Sequence, residues 1–165
     1  MDEQELSARL RRAFPPTAID ARAAFATWGR TYSDGDDYSR HLEGKAWDAL
    51  DRAYLDLRSD ALGFLGTNHL AVVLPAYLQQ LIEGDGFSQV PDILLLVLTK
   101  PGPKQGSPLG SKRFDAMVDA LTMSQREVVA ATLEQFAAMH PEDAHGFAAQ
   151  LALDVFWDRF IKESE

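Results

Sequence analysis

An apolar helical pattern with a proline inside it constrains the fold of this chain more than any other feature. Leu70, Leu74, Tyr77, Leu78 and Leu81 recur at helical spacing, and Pro75 falls within their run. Proline has no backbone N–H and its ring crowds the preceding turn. The carbonyl near Ala71 therefore loses its usual donor, and the helix is expected to kink. Thr67 or Asn68 is placed to cap its start, and Gly84 and Gly86 release the chain at its end.

The flanking segments also read as helices. Behind Asp2, the residues Leu6, Leu10 and Phe14 step by four until Pro15-Pro16 ends the pattern. Ile19, Ala23, Phe25 and Trp28 suggest a second helix over 17–29, and residues 33–37, Ser-Asp-Gly-Asp-Asp, read as a turn-rich loop. Trp47, Leu50, Tyr54 and Leu57 predict a surface helix with one buried stripe and an Asp48–Arg52 pair on its other side. The apolar run at 91–99 fits a buried strand or a buried helix. Helix is preferred because leucine outnumbers β-branched residues there and no other run offers a sheet partner. Ser111 is a plausible cap for the helix of Phe114, Met117, Val118 and Leu121. Ser124 and Glu127 match a capping box opening the helix of Val129, Leu133 and Phe136. Pro141, Glu142 and Asp143 mark the last start, after which Phe147, Leu151, Val155, Trp157, Phe160 and Ile161 are expected to be buried over more than one stripe. The expected architecture is all-α: a single-domain bundle of about six to eight helices across residues 1–165 with a proline-kinked central helix. A Pro/Gly-rich basic loop at 100–111 interrupts it as an internal insertion.

Charge narrows the partners. Sixteen basic and 25 acidic residues give a net charge of −9, which repels a phosphate backbone and argues against nucleic acid. The acidity is uneven, because residues 100–113 hold Lys100, Lys104, Lys112 and Arg113 and no acid. With no cysteine, disulfides, thiolate metal sites and cysteine nucleophiles are excluded. The longest apolar run, Ile93 to Leu98, is too short to cross a bilayer, and the acidic start Asp2-Glu3-Gln4-Glu5 differs from a secretory signal. A cytoplasmic protein without membrane contact is expected.

No residue pattern carries a reaction signature. His140 and His145 are five apart and diverge on a helix, so the group with Glu142 and Asp143 reads as capping rather than metal binding. Asp34, Gly35, Asp36 and Asp37 resemble the start of a calcium loop, but the twelfth position is Lys45 where a glutamate is needed. His41 and Glu43 lack further ligands, and Ser39, His41 and Asp37 are neighbours by composition without a nucleophile elbow or phosphate-binding glycine loop. Catalytic residues, metals and cofactors are therefore assigned as none, and a non-enzyme is favoured. The binding candidates are Trp47, Asn68, His69 and Tyr77. On one reading Asn68 caps, His69 packs at the helix start and Tyr77 bonds the backbone freed by Pro75; on the other they line a ligand pocket at the bend with Trp47 as a wall.

Taken together, Ala13-Phe14-Pro15, Leu42-Glu43-Gly44-Lys45-Ala46-Trp47, Phe64-Leu65, Leu74-Pro75-Ala76-Tyr77-Leu78 and Leu121-Thr122-Met123-Ser124-Gln125 resemble a family of small bacterial proteins of unknown function. Leu42 and Val72-Val73 depart from that family's pattern, which has a Phe and a Tyr pair there. The resemblance implies a bacterial cytosolic protein and brings no activity with it. Some members look like small acidic proteins encoded beside secreted toxins, which implies an immunity- or inhibitor-type role. The functional expectation is a non-enzymatic module that binds another protein, a basic one by complementarity, through an acidic face. A small-molecule binder or enzyme at the bend of the Pro75 helix is the second reading.

Overall fold

A computed structural model describes residues 2–24, 33–84, 88–102 and 108–161, and all its regular elements are helical. In chain order they are α1 (Glu3–Ala13), the single turn α2 (Ala21–Ala24), α3 (Ser33–Leu42), a 3-10 turn (Trp47–Ala49), α4 (Arg52–Leu57), the single turn α5 (Ala61–Phe64), α6 (Thr67–Glu83), α7 (Val90–Leu98), α8 (Pro108–Ala120), α9 (Met123–Met139), α10 (Ala144–Val155) and a second 3-10 turn (Trp157–Phe160). The all-α expectation holds. The α-helices of seven or more residues fall within the expected six to eight, and shorter ones such as α2, α4 and α5 bring the count among the described residues to ten.

The Pro75 helix, α6, is the axis. It touches α1, α2, α5, α7, α8, α9 and the first 3-10 turn. Leu70, Val73, Leu74, Ala76, Tyr77, Leu78, Leu81 and Ile82 are all buried, so the helix is covered around its circumference rather than along one stripe. Each buried leucine there contributes about 1.5–3 kcal/mol. Helical structure continues through Pro75 from Thr67 to Glu83. The start has no side-chain cap: Gly66 occupies the cap position and Thr67 lies inside the helix. Gly84 ends it in the left-handed conformation at φ 67°, which glycine adopts without a Cβ penalty. Gly86 lies outside the described residues.

Several local expectations are corrected. Residues 33–37 open α3 rather than forming a loop, while Phe25 and Trp28 lie outside the described residues. The expected helix through Trp47 and Leu57 is broken at Leu50 and restarted by Asp51, whose carboxylate accepts from Ala53 N at 3.0 Å. Leu57 is consequently exposed, and Asp48 and Arg52 pair with Arg11 and Glu83 instead of each other. Ser111 lies within α8. The capping box of α9 belongs to Thr122 and Gln125, not to Ser124 and Glu127. The 91–99 run is helical, as read, and Val129, Leu133 and Phe136 are buried together on α9.

Short helices leave many terminal carbonyls without an internal partner. Here side chains from distant elements take them. Trp47 Nε1 donates to Phe14 O at 2.8 Å, closing α1, and Trp157 Nε1 donates to Leu98 O at 2.7 Å, closing α7. Gln125 Nε2 reaches Ala13 O at 3.1 Å, Tyr77 Oη reaches Arg58 O at 3.2 Å after α4, and Arg126 Nε reaches Val118 O at 3.0 Å in α8. Three of the motif segments noted above thus meet at the end of α1: Ala-Phe-Pro supplies two carbonyls, and Trp47 and Gln125 supply the donors. Gly44 serves the same junction. Its φ of 71° ends α3, its N–H donates to Ile19 O, and Glu43 Oε2 accepts from Ala21 N at 2.8 Å.

Candidate functional site

Among the described residues, Trp47, His69 and Tyr77 do not line a common cavity. Trp47 is buried against α1 and edges an open groove of about 460 Å³ with Ser7, Leu50, Ala76 and Gln79. Ion pairs Arg11–Asp48 and Arg52–Glu83 occupy the charged groups on that groove. Tyr77 is buried among the core side chains, away from the groove, and its hydroxyl bonds Arg58 O rather than the backbone freed by Pro75. His69 is half-buried in the first turn of α6, and its backbone N–H donates to Gly66 O at 2.9 Å. The side chain of Asn68 lies outside the described residues.

A polar cluster does form beside Tyr77. Tyr54 Oη donates to Asp37 Oδ2 at 3.2 Å, and the His41 ring stacks on Tyr54 at 4.2 Å between centroids with 15° between planes. His41 Nδ1 donates to Asp37 O at 2.9 Å and stands 3.3 Å from Asp37 Oδ1. The Arg58 guanidinium lies 4.7 Å above the Tyr38 ring and 3.8 Å from Asp37. Burial raises the hydroxyl pKa of Tyr38, Tyr54 and Tyr77 beyond the ordinary tyrosine range, reinforced by Asp60 at Tyr38 and Asp37 at Tyr54, so all three are neutral near pH 7. Spacing alone suggested a His41–Ser39–Asp37 group; the tertiary partner of His41 is Tyr54, contributed by a different helix. The Tyr54 and Tyr77 hydroxyls are spent on a carboxylate and a helix end, so the cluster joins α3 to α4 and α6.

His140 and His145 turn to different carboxylates. His140 Nδ1 pairs with Asp143 Oδ2 at 2.9 Å, and His145 Nε2 pairs with Asp92 Oδ1 of α7 at 2.8 Å. Asp143 also caps α10 by accepting from Gly146 N, a bond that holds its carboxyl below the usual range, with His140 adding to the effect. Among the described residues, no three such groups gather to hold a metal ion.

The largest departure from expectation is on α10. Phe147, Leu151 and Val155, expected inside, are exposed, Phe147 by 68%. They stand at i, i+4 and i+8 and so form one continuous stripe on the outer face. The inner face is made instead by Gly146, Ala149 and Ala152, small residues that bring the helix axis close to α9, together with Leu153. That run of small residues is the sequence signal that could have identified the inner face. A Cβ on Gly146 would overlap the His140 carbonyl, which shows how tight the approach is. Gln150 and Asp154 line the stripe, joined by a 2.7 Å hydrogen bond, and Glu142, Asp143 and Asp158 are exposed at its two ends. Leu96 on neighbouring α7 is exposed as well. Monomeric surfaces seldom present large apolar side chains in a row without a partner to cover them.

No described helix is long and apolar enough to cross a membrane. The chain belongs to a family of unknown function, DUF6714, which it matches over residues 2–161. No curated protein and no solved structure matches it.

Proposed function

We propose that this member of the DUF6714 family is a bacterial, cytoplasmic, non-enzymatic binding module that docks a basic protein on the outer face of α10. The observation that carries the reading is the exposed stripe of Phe147, Leu151 and Val155 with acids beside it and at both ends. An apolar centre with a charged rim is the layout of a protein-binding patch, and the rim selects a partner of opposite sign. The net charge of −9 supports the same polarity. A second copy of this chain would set the acids of one stripe against those of the other, so a basic partner is favoured over self-association. Covering a basic surface of its partner is an inhibitor-type use of the patch.

The test uses synthetic amphipathic helices with a leucine face and either a lysine or a glutamate polar face, titrated against the full chain by fluorescence anisotropy. The lysine peptide is expected to bind, to weaken severalfold or more with Leu151→Gln, and to weaken as salt is added; the glutamate peptide should not bind. Because Leu151→Gln leaves the charge unchanged, equal affinity for that variant and the natural chain would mean that only diffuse charge attraction operates, and the reading would be abandoned. Sedimentation of the chain alone is expected to give a monomer.

A further inference from the structure

Between α7, α8 and the start of α6 lies a second concavity, of about 320 Å³, on different residues from the α10 stripe. Its walls are apolar: Leu65, Leu70, Val97, Phe114 and Met117 line it, and exposed Leu96 forms a lip. Arg113 stands at its edge. The guanidinium spends one nitrogen, Nη2, on the carbonyls of Leu62 and Leu65, both at 3.1 Å, closing the single turn α5. Guanidinium carries five donors in a planar fork, and no other hydrogen bond and no carboxylate partner is recorded for Arg113 among the described residues. Partial withdrawal of this group from water lowers its pKa, and no nearby acid opposes the effect. In a chain with 25 acids, a cation fixed beside an apolar hollow without one of them is poised for an anion from outside.

The surroundings point to the same sign of ligand. Lys100 lies 5.9 Å from the Phe114 ring centroid and Lys112 is exposed one residue before Arg113, so two further cations stand near residues that line the cleft. Asp115 is the neighbouring acid, and Lys100 pairs with it at 2.9 Å. A local positive field in an otherwise acidic molecule draws small anions and does not attract basic proteins. This assigns a purpose to Arg113 that protein docking on α10 leaves unused.

We propose that this cleft binds a small apolar carboxylate, its carboxylate held by the free donors of Arg113 and its hydrocarbon or aryl body laid between Leu70, Val97, Phe114 and Met117. A few convergent polar groups on a mostly apolar, preformed hollow of this size are what small-ligand sites consist of. The Nη1 and Nε donors that remain give the carboxylate a charge-assisted hydrogen bond, and the apolar wall sets the preference for a tail over a compact anion such as acetate.

The test is calorimetric titration of the full chain with decanoate, decanol and acetate as probes. Decanoate is expected to bind at least tenfold more tightly than either of the others, because decanol lacks the charge and acetate lacks the tail. Arg113→Gln should reduce decanoate affinity about tenfold while leaving decanol unchanged. Since Arg113 also closes α5, Met117→Trp provides a second variant that fills the hollow without touching the guanidinium, and it should abolish binding with the thermal transition retained. Equal affinity for decanoate and decanol, undiminished binding in Met117→Trp, or no heat with decanoate at millimolar concentration would each overturn the proposal. The α10 stripe is untouched by these variants, so the outcome is independent of the docking reading.

Discussion

The indole of Trp47 donates to the carbonyl of Phe14 across 2.8 Å, so the last turn of α1 is closed by a side chain 33 residues further along the chain. Both groups are buried, and a buried carbonyl that loses its donor bears the full desolvation cost. Trp47→Phe keeps an aromatic ring at the site but removes the N–H together with part of the indole, so a hydrogen-bond loss and a small cavity add. It is expected to lower stability by about 1–3 kcal/mol in urea unfolding, as should Trp157→Phe through Leu98 O. A loss below about 0.5 kcal/mol in both would show that water replaces the indole and that these bonds do not hold the helix ends.

Two overlapping capping boxes compete at the start of α9, and the structure uses Thr122 with Gln125. Thr122→Ala should cost about 1 kcal/mol, whereas Ser124→Ala should stay within about 0.5 kcal/mol of the natural chain. Thermal unfolding of the pair decides the matter; the reverse ranking would restore Ser124 as the cap.

Gly146 meets the His140 carbonyl where a Cβ would be placed. Gly146→Ala must therefore push α10 away from the end of α9, at a cost of about 1–3 kcal/mol or more. Gly63, with nothing within 4 Å of its Cβ position, is the control, and Gly63→Ala should be neutral or slightly stabilising. If chemical denaturation ranks the two alike, the close approach of α10 to the turn before it does not exist in solution.

Asp143 has its carboxyl pKa lowered by the N–H of Gly146 first and by His140 as well. A folded pKa below the unfolded one gives stability that is present above the unfolded value, about 4, and is lost as pH falls through the folded value. Asp143→Asn can keep the cap bond but carries no charge. The gap in melting temperature between the natural chain and this variant should be full near pH 6 and close below about pH 4. A gap that stays constant from pH 6 to pH 2 would assign the effect to geometry alone.

The helices that periodicity can report were legible. Leu6 and Leu10 on α1, the leucines of α6, and Val129, Leu133 and Phe136 on α9 repeat their buried positions every three or four residues, and all are buried. The break at Leu50 was not, because Trp47, Leu50, Tyr54 and Leu57 keep helical spacing while Asp51 caps a new helix and turns Leu57 to solvent. The binding candidates fared as local readings do. Trp47 was recognised as a wall, but its groove is shared with Gln79 and Leu50 rather than with His69 or Tyr77. Arg113 was read only as one of the cations of the basic stretch 100–113, since nothing near it in sequence reveals that its neighbours in space are Leu62 and Leu65.

By itself the sequence determined that the chain's regular elements are helical, where the proline-bearing helix lies, and that its charge is acidic, because spacing and composition act over one or two turns. Only the tertiary structure decided which of two capping boxes closes, which side of α10 faces water, and where Arg113 sits. Those outcomes depend on packing partners: Gln125 serves Thr122 because it also reaches Ala13 O, and α10 turns its large side chains outward because Gly146 leaves no room at the His140 carbonyl and Ala149 and Ala152 are buried on the same side.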